Sequence, residues 1–145
     1  MRVRRDRPDV PDPELAVHLS GVRPPKTPWP RVWIRWPDFS LPLSTEDALH
    51  TLSAAHEAAM TVRVEIGCRS GIGRTGTAVA AMAILAGLPS EEAVAWARKH
   101  HHPRAVETPW QRRWIEKVVP RAIEQAPPGE YGSGTLPGSD RPFGA

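Results

Sequence analysis

Cysteine is almost missing from this chain. A single thiol, Cys68, among 145 residues excludes an internal disulfide framework and suits a reducing compartment. Long apolar runs are missing as well. No apolar stretch follows the N-terminal arginines, which argues against a secretory leader, and no segment reaches the roughly twenty residues of a membrane helix. The expected location is the cytoplasm, with no membrane partner. The basic residues come without interleaved stacking aromatics or a base-reading motif, so the formal charge of +3 implies no nucleic-acid partner. It does imply a field that attracts anions. Four arginines fall within the first seven residues, and Arg112, Arg113, Lys117 and Arg121 gather late in the chain.

What is present suits one domain. Residues 1–13 and 126–145 are polar, rich in proline or glycine and without apolar periodicity, which predicts mobile tails around a folding unit at 14–125. Nine of the seventeen prolines lie in residues 8–42 and exclude long helices there. Short extended pieces are expected instead, "LAVHL" (15–19) and "RVWIRW" (31–36), the second alternating Val32, Ile34 and Trp36 with Arg31, Trp33 and Arg35. Residues 44–60 read as a helix. Ser44 and Asp47 make a capping-box-like start, and Ala48, Leu49, Leu52, Ala55 and Ala59 form its apolar stripe.

"VRVEIG" (62–67) is a strand, and Arg63 and Glu65 within this central strand are expected to pair with neighbouring helices. Residues 74–87 form a helix apolar on nearly all sides, which should therefore be buried. Ser90 is expected to cap a further helix. The last one, 107–125, carries Trp110, Trp114 and Val118 at a spacing of four and is kinked at Pro120. Strands that alternate with helices, followed by helices, predict an α/β fold: a small, largely parallel central sheet flanked by helices.

Cys68 stands where strand passes to helix through a glycine-rich turn, "CRSGIGRTGT". That geometry presents backbone N–H groups and the positive end of a helix to an anion. Gly71, Gly73 and Gly76 have the dinucleotide spacing, but no second strand ending in an acidic residue follows the helix. A nucleotide phosphate loop needs Lys after Gly76, where this chain has Thr77. Thiol-based phosphoryl transfer uses residues that both readings ignore. A thiol beside N–H donors and a guanidinium is stabilised as thiolate. Amides from Arg69 through Ser70, Gly71, Ile72, Gly73 and Arg74 can converge on phosphate oxygens, where glycines allow positive φ and close approach. Arg74 can grip two oxygens in a planar fork, and Thr75 can donate its hydroxyl to the sulfur.

A second motif, "WPDFSLP" (36–42), lies upstream. Transfer of phosphoryl to sulfur expels an oxygen that needs a proton, and Asp38, in a loop after a strand and thirty residues before Cys68, is placed to supply it.

With these two motifs the chain resembles the cysteine-dependent protein tyrosine phosphatase superfamily, including its dual-specificity branch, over residues from about 31 to 119. "CRSGIGRTGT" is similar to the family's phosphate loop and "WPDFSLP" to its acid loop. Within "VETPWQRRWI" (106–115), Glu107 and Gln111 stand where many members carry two glutamines. The resemblance implies a phosphatase-like fold and a phosphocysteine intermediate, with Cys68 as nucleophile, Asp38 as acid and then base, and Thr75 assisting departure of sulfur. Gln111 then positions water or is a surface polar residue. No cofactor or metal is implied, since Arg74 and the loop amides neutralise the phosphate oxygens. The implied partner is a phosphorylated protein or other phosphomonoester.

Some residues depart from the family pattern. Gly67 replaces the usual histidine before the cysteine. Glu107 replaces a glutamine, and either orients water, pairs with Arg104 or serves as a first-turn carboxylate favoured by the helix dipole. The family's phosphotyrosine-gripping loop has no match, and the sole tyrosine, Tyr131, falls in the expected tail. Trp29, Trp33 and Phe39 are candidates for the wall of the site or for core and hinge roles. Ile72 is similar to tyrosine-specific members, while Arg69 would suit a further phosphate or acidic flanks, or is an ordinary solvent-facing side chain. "HHH" at 100–102 reads as a solvated helix end, because consecutive helical positions diverge. The resulting expectation is a tyrosine or dual-specificity protein phosphatase. The alternatives are a phosphatase for inositol phosphates or other small polyanions, and a phosphate-binding module of low activity.

Overall fold

The proline-rich first third does pair as short strands. In the computed structural model, which describes residues 11–68 and 72–131, β1 (Leu15–Ser20) lies beside β2 (Arg31–Arg35) in parallel, joined by a crossing that contains no helix. β3 (Val64–Gly67) pairs on the other side of β1, also in parallel, so the order is β2-β1-β3. The sheet is small and wholly parallel, as expected. β3 is an edge strand, however, and Arg63 just precedes it. The Arg63 backbone N–H donates to Glu14 Oε2 at 2.8 Å, and its side chain donates to the Asp12 carbonyl at 3.1 Å. Arg63 thus ties down the approach to β1 and pairs with no helix. Strand order does not follow chain order, so the strand expected at the centre stands at the edge.

α1 (Thr45–Ala58) carries the chain from one edge of the sheet to the other. Ser44 caps it, its Oγ accepting from the Asp47 N–H at 3.1 Å, and Ala48, Leu49, Leu52 and Ala55 are buried while Ala59 is half-buried. α2 (Gly73–Leu85) is buried at every position but Ile84, the all-apolar helix of the sequence placed at the centre of the molecule. α1 packs on β2 and α2 on β3, and α3 (Ser90–His100) packs behind α2. Pro89, not Ser90, caps α3. Ser90 is already helical, and its hydroxyl lies 3.4 Å from Glu91 Oε2.

The last helical run has three parts. α4 (Pro109–Arg113) leads into a π-helical turn (Trp114–Val118) and then α5 (Val119–Gln125). Pro120 has no N–H to offer, and its ring would crowd the carbonyl four residues back. The preceding turn widens so that the Val119 N–H reaches the Trp114 carbonyl. The extra residue rotates the helix face. Trp114 is buried, but Trp110 and Val118 are 52% and 39% exposed, so the spacing of four makes no continuous stripe.

The core centres on Leu19, Leu49, Leu52, Met82, Ile115 and an edge-to-face pair, Trp36 with Trp114, whose ring centroids are 5.5 Å apart. Ile34 and Trp36 of the alternating run point inward, while Val32 at the edge-strand start is 39% exposed. Packing extends slightly past both ends of the expected folding unit. Pro13 is buried, and Glu130 and Tyr131 fold back on His50 of α1. Residues 1–10 and 132–145 of the expected tails lie outside the described residues. Among those residues no helix is long and apolar enough to cross a membrane.

Candidate active site

In a parallel sheet the loops at the carboxyl ends of the strands gather at one edge, where ligands bind. β2 runs directly into the loop that carries Asp38, and β3 into Cys68 and the first turn of α2. The two motifs of the sequence are therefore set side by side by topology.

Cys68 is 2% exposed and faces Thr75, which is equally buried. The Thr75 Oγ1 accepts from the Cys68 backbone N–H at 3.0 Å and donates to the Cys68 Sγ at 3.0 Å. Arg74 is 5% exposed. One of its terminal nitrogens donates to the Trp36 carbonyl at 3.0 Å, and its Nε lies 3.4 Å from Asp38 Oδ1. That second contact is ionic without hydrogen-bond alignment, which leaves the Nε a buried donor with no aligned acceptor. A buried guanidinium with an unused donor is poised for an anion. Arg74 is thus the residue that joins the cysteine loop to the acid loop.

The expected cradle of amides falls partly outside the described residues, because Arg69, Ser70 and Gly71 are not among them. Ile72 is the N-cap of α2 and its carbonyl accepts from the Gly76 N–H at 2.8 Å. Gly73 and Gly76 are helical, so close approach and not positive φ is what requires glycine there. A Cβ at Gly76 would stand 2.6 Å from Ala105 Cβ, and one at Gly73 would overlap the carboxylate of Glu107, 2.8 Å from its Cδ.

The segment that presses on these glycines is strained. Val106, β-branched and buried, has φ of 65°. Arg98 of α3 holds it, donating from Nε to the Ala105 carbonyl at 3.0 Å and from a terminal nitrogen to the Val106 carbonyl at 3.1 Å. The bend delivers Glu107 to the first turn of α2. Of the alternatives for Glu107, pairing with Arg104 is not seen, since among the described residues no ion pair joins the two.

Gln111 is a buried residue, 1% exposed, and no surface polar group. Its Oε1 accepts from the N–H groups of Glu107 and Thr108 at 3.0 and 3.2 Å, completing a capping box with Thr108. Its Nε2 donates to the Ser40 carbonyl at 3.2 Å. Gln111 therefore fastens α4 to the acid loop. The capping box could have been found from "TPWQ", since Thr, then Gln three residues later, around a proline is a helix-start pattern.

The acid loop is built on Trp36, fully buried, whose Nε1 donates to the Ser40 carbonyl at 2.8 Å. Asp38 projects from it, 55% exposed at its side chain, with Oδ1 accepting from the Phe39 N–H at 3.0 Å. Phe39 stands at the tip, 57% exposed, with φ of 56°. Trp33 lies on the sheet, its Nε1 bonded to the Ser20 carbonyl and its ring covered by Arg23 and Arg35.

The histidine run diverges as expected. His100 bonds the Trp96 carbonyl, and His102 accepts from the Arg104 N–H. The described residues do bring Glu46, His50 and Glu130 within 4.8 Å of one another, but His50 already pairs with Glu130 at 2.9 Å. Of the late cations, Arg112 pairs with Glu116, while Arg113, Lys117 and Arg121 line an open cavity of about 540 Å³ with Glu46, Glu130 and Tyr131. Burial, with Glu46 and Glu130 nearby, raises the Tyr131 phenol above its ordinary range.

A thiol at the end of a parallel strand, a hydroxyl on its sulfur and an arginine bridging to a carboxylate loop mark a thiol-centred α/β domain. The family model described as protein-tyrosine phosphatase matches residues 7–119, and the chain belongs to that family. The match begins well upstream of the motifs and takes in all three strands. Membership makes this a phosphatase of the protein-tyrosine type, with phosphorylated substrates. No curated protein matches the chain.

Proposed function

We propose that this protein hydrolyses phosphotyrosyl groups on proteins by way of a phosphocysteine, with Cys68, Arg74, Asp38 and Thr75 as the reacting set. The observation that carries this is the link made by Arg74, one buried guanidinium bonded to the carbonyl of Trp36 and in ionic contact with Asp38, one residue away from the Thr75–Cys68 pair.

In the first step the Cys68 thiolate attacks phosphorus. The P–O bond to the substrate breaks as a sulfur–phosphorus bond forms, and the Asp38 carboxyl gives its proton to the departing oxygen. In the second step water attacks phosphorus in line, Asp38 takes its proton, and the sulfur–phosphorus bond breaks to return the thiolate. The Thr75 hydroxyl, donating to sulfur, makes that thiolate a better leaving group. Arg74 and the loop amides of residues 69–74 would hold the equatorial oxygens as charge develops. Gln111 supports the arrangement through its bond to the Ser40 carbonyl.

Steady-state turnover of an aryl phosphate, with a pH–rate profile for the parent and for Asp38→Asn, tests the reading. Cys68→Ser should abolish release of phosphate and Asp38→Asn should lower it by roughly 10²–10⁴. Undiminished release by Cys68→Ser would overturn it. Phosphotyrosyl peptides should be better substrates than polyphosphorylated inositols, and the opposite order would move the assignment to small polyanions.

A further inference from the structure

The acid loop is held from outside by a residue that its exposure does not explain. Trp110 is the second residue of α4, where Thr108 and Pro109 set the start of the helix. Its ring is 52% exposed, so burial does not fix its position. Yet its only polar group is fully aimed: the Nε1–H donates to the Phe39 carbonyl at 2.6 Å, across 71 positions of sequence. Phe39 follows Asp38 directly, and its left-handed backbone, φ 56°, is one that a phenylalanine adopts only under constraint.

Carbonyls on both sides of Asp38 are thus tethered. Arg74 takes that of Trp36, Trp110 that of Phe39, and Gln111 that of Ser40. Arg74 and Gln111 are buried and belong to the framework. Trp110 alone of the three is exposed, so its bond can open without disturbing the core.

We propose that Trp110 is a positioning residue, a latch whose indole N–H holds the acid loop closed so that Asp38 stays beside Arg74. The inference rests on the phosphatase reading for its kinetic consequence, but not for its physical one. With the latch open, the loop loses one tether and the strained turn at Phe39 can relax, carrying Asp38 away from Arg74. Steps in which Asp38 gives or takes a proton then slow, and loss of a leaving group that needs no proton does not.

The test is Trp110→Phe, which keeps a ring and removes the N–H. Amide hydrogen exchange should quicken in residues 36–43 and stay unchanged in α2. The kcat/KM for phenyl phosphate, whose leaving oxygen needs a proton, should fall about five- to tenfold, the size of one lost hydrogen bond. The kcat/KM for a dinitrophenyl phosphate, which reports only the steps up to phosphocysteine and whose leaving group needs no proton, should stay within about twofold. In an Asp38→Asn background, Trp110→Phe should add nothing. Unchanged exchange in residues 36–43, or an equal fall in kcat/KM with both esters, would overturn the latch. If the parent turns over neither ester, the phosphatase reading fails, and the exchange result still decides whether Trp110 holds the loop.

Discussion

Thr75 grips Cys68 twice, accepting from its backbone N–H and donating to its sulfur, each at 3.0 Å. Both residues are buried, so neither bond competes with bulk water. The same hydroxyl therefore orients the strand end and interacts with the sulfur. Thr75→Ala should lower turnover of an aryl phosphate by about tenfold, the scale of a lost hydrogen bond to a charged group, and Thr75→Ser should restore most of it. Rapid-quench measurement of the phosphorylated enzyme should show the intermediate accumulating in Thr75→Ala. A variant with parental kinetics would remove Thr75 from the chemistry.

Glu107 brings an exposed carboxylate against Gly73 in the first turn of α2, within the turn proposed to hold phosphate. A bound oxyanion would meet that negative charge. Glu107→Gln should tighten inhibition by vanadate and inorganic phosphate by about three- to tenfold at low salt, and by less at high salt, where screening weakens the repulsion. An inhibition constant unmoved by either the substitution or salt would place the carboxylate out of reach of the ligand.

Gly76 is required by packing. A Cβ there would stand 2.6 Å from Ala105 Cβ and 2.7 Å from Ala105 Cα, in a segment already clamped by Arg98. Gly76→Ala should cost about 1–3 kcal/mol of stability in spite of alanine's better helix propensity. Urea unfolding would show it as a lower midpoint with an unchanged slope. A variant as stable as the parent would mean that the Ala105 bend gives way freely.

His18 lies in the middle strand, in register with Trp33 on one side and Gly67 on the other. Burial, and then Arg31, hold its imidazole below the ordinary histidine range, and its Nε2 is buried without an acceptor. Below the ordinary value near 6.5 the unfolded chain binds a proton that the folded chain resists, so stability falls with pH through that window and levels off below the lowered folded value. Melting temperature should therefore drop between about pH 7 and pH 5. His18→Gln should flatten that drop. A slope unaltered by the substitution would assign the acid sensitivity to other groups.

The candidate site was legible because its residues are local. Cys68, Arg74 and Thr75 fall within eight residues of one turn, and Asp38 within another, so spacing alone named them. The buried α2 was equally clear from its unbroken apolar composition. The roles of Glu107, Gln111 and Trp110 were not legible in the same way. Of the two readings of Gln111, the surface one gives way to a buried cap, because its partners, Thr108 and Ser40, include one 71 residues away. Trp110 looked like part of a helix face, but it stands exposed in the first turn of α4 with its Nε1–H on the Phe39 carbonyl, 71 positions away.

The order of residues determined which groups the proposed chemistry can draw on: one sulfur, its neighbouring hydroxyl, one forked cation and one carboxylate on a proline-flanked loop. Tertiary structure decided how they meet. Parallel pairing on both sides of β1 put the ends of β2 and β3 at one edge, and bonds across the fold from Arg74, Trp110 and Gln111 drew the carboxylate loop over that edge. Local sequence encodes backbone preference and side-chain chemistry. Contacts between residues distant in the chain form only once the core has packed, and those contacts set the distances on which reaction depends.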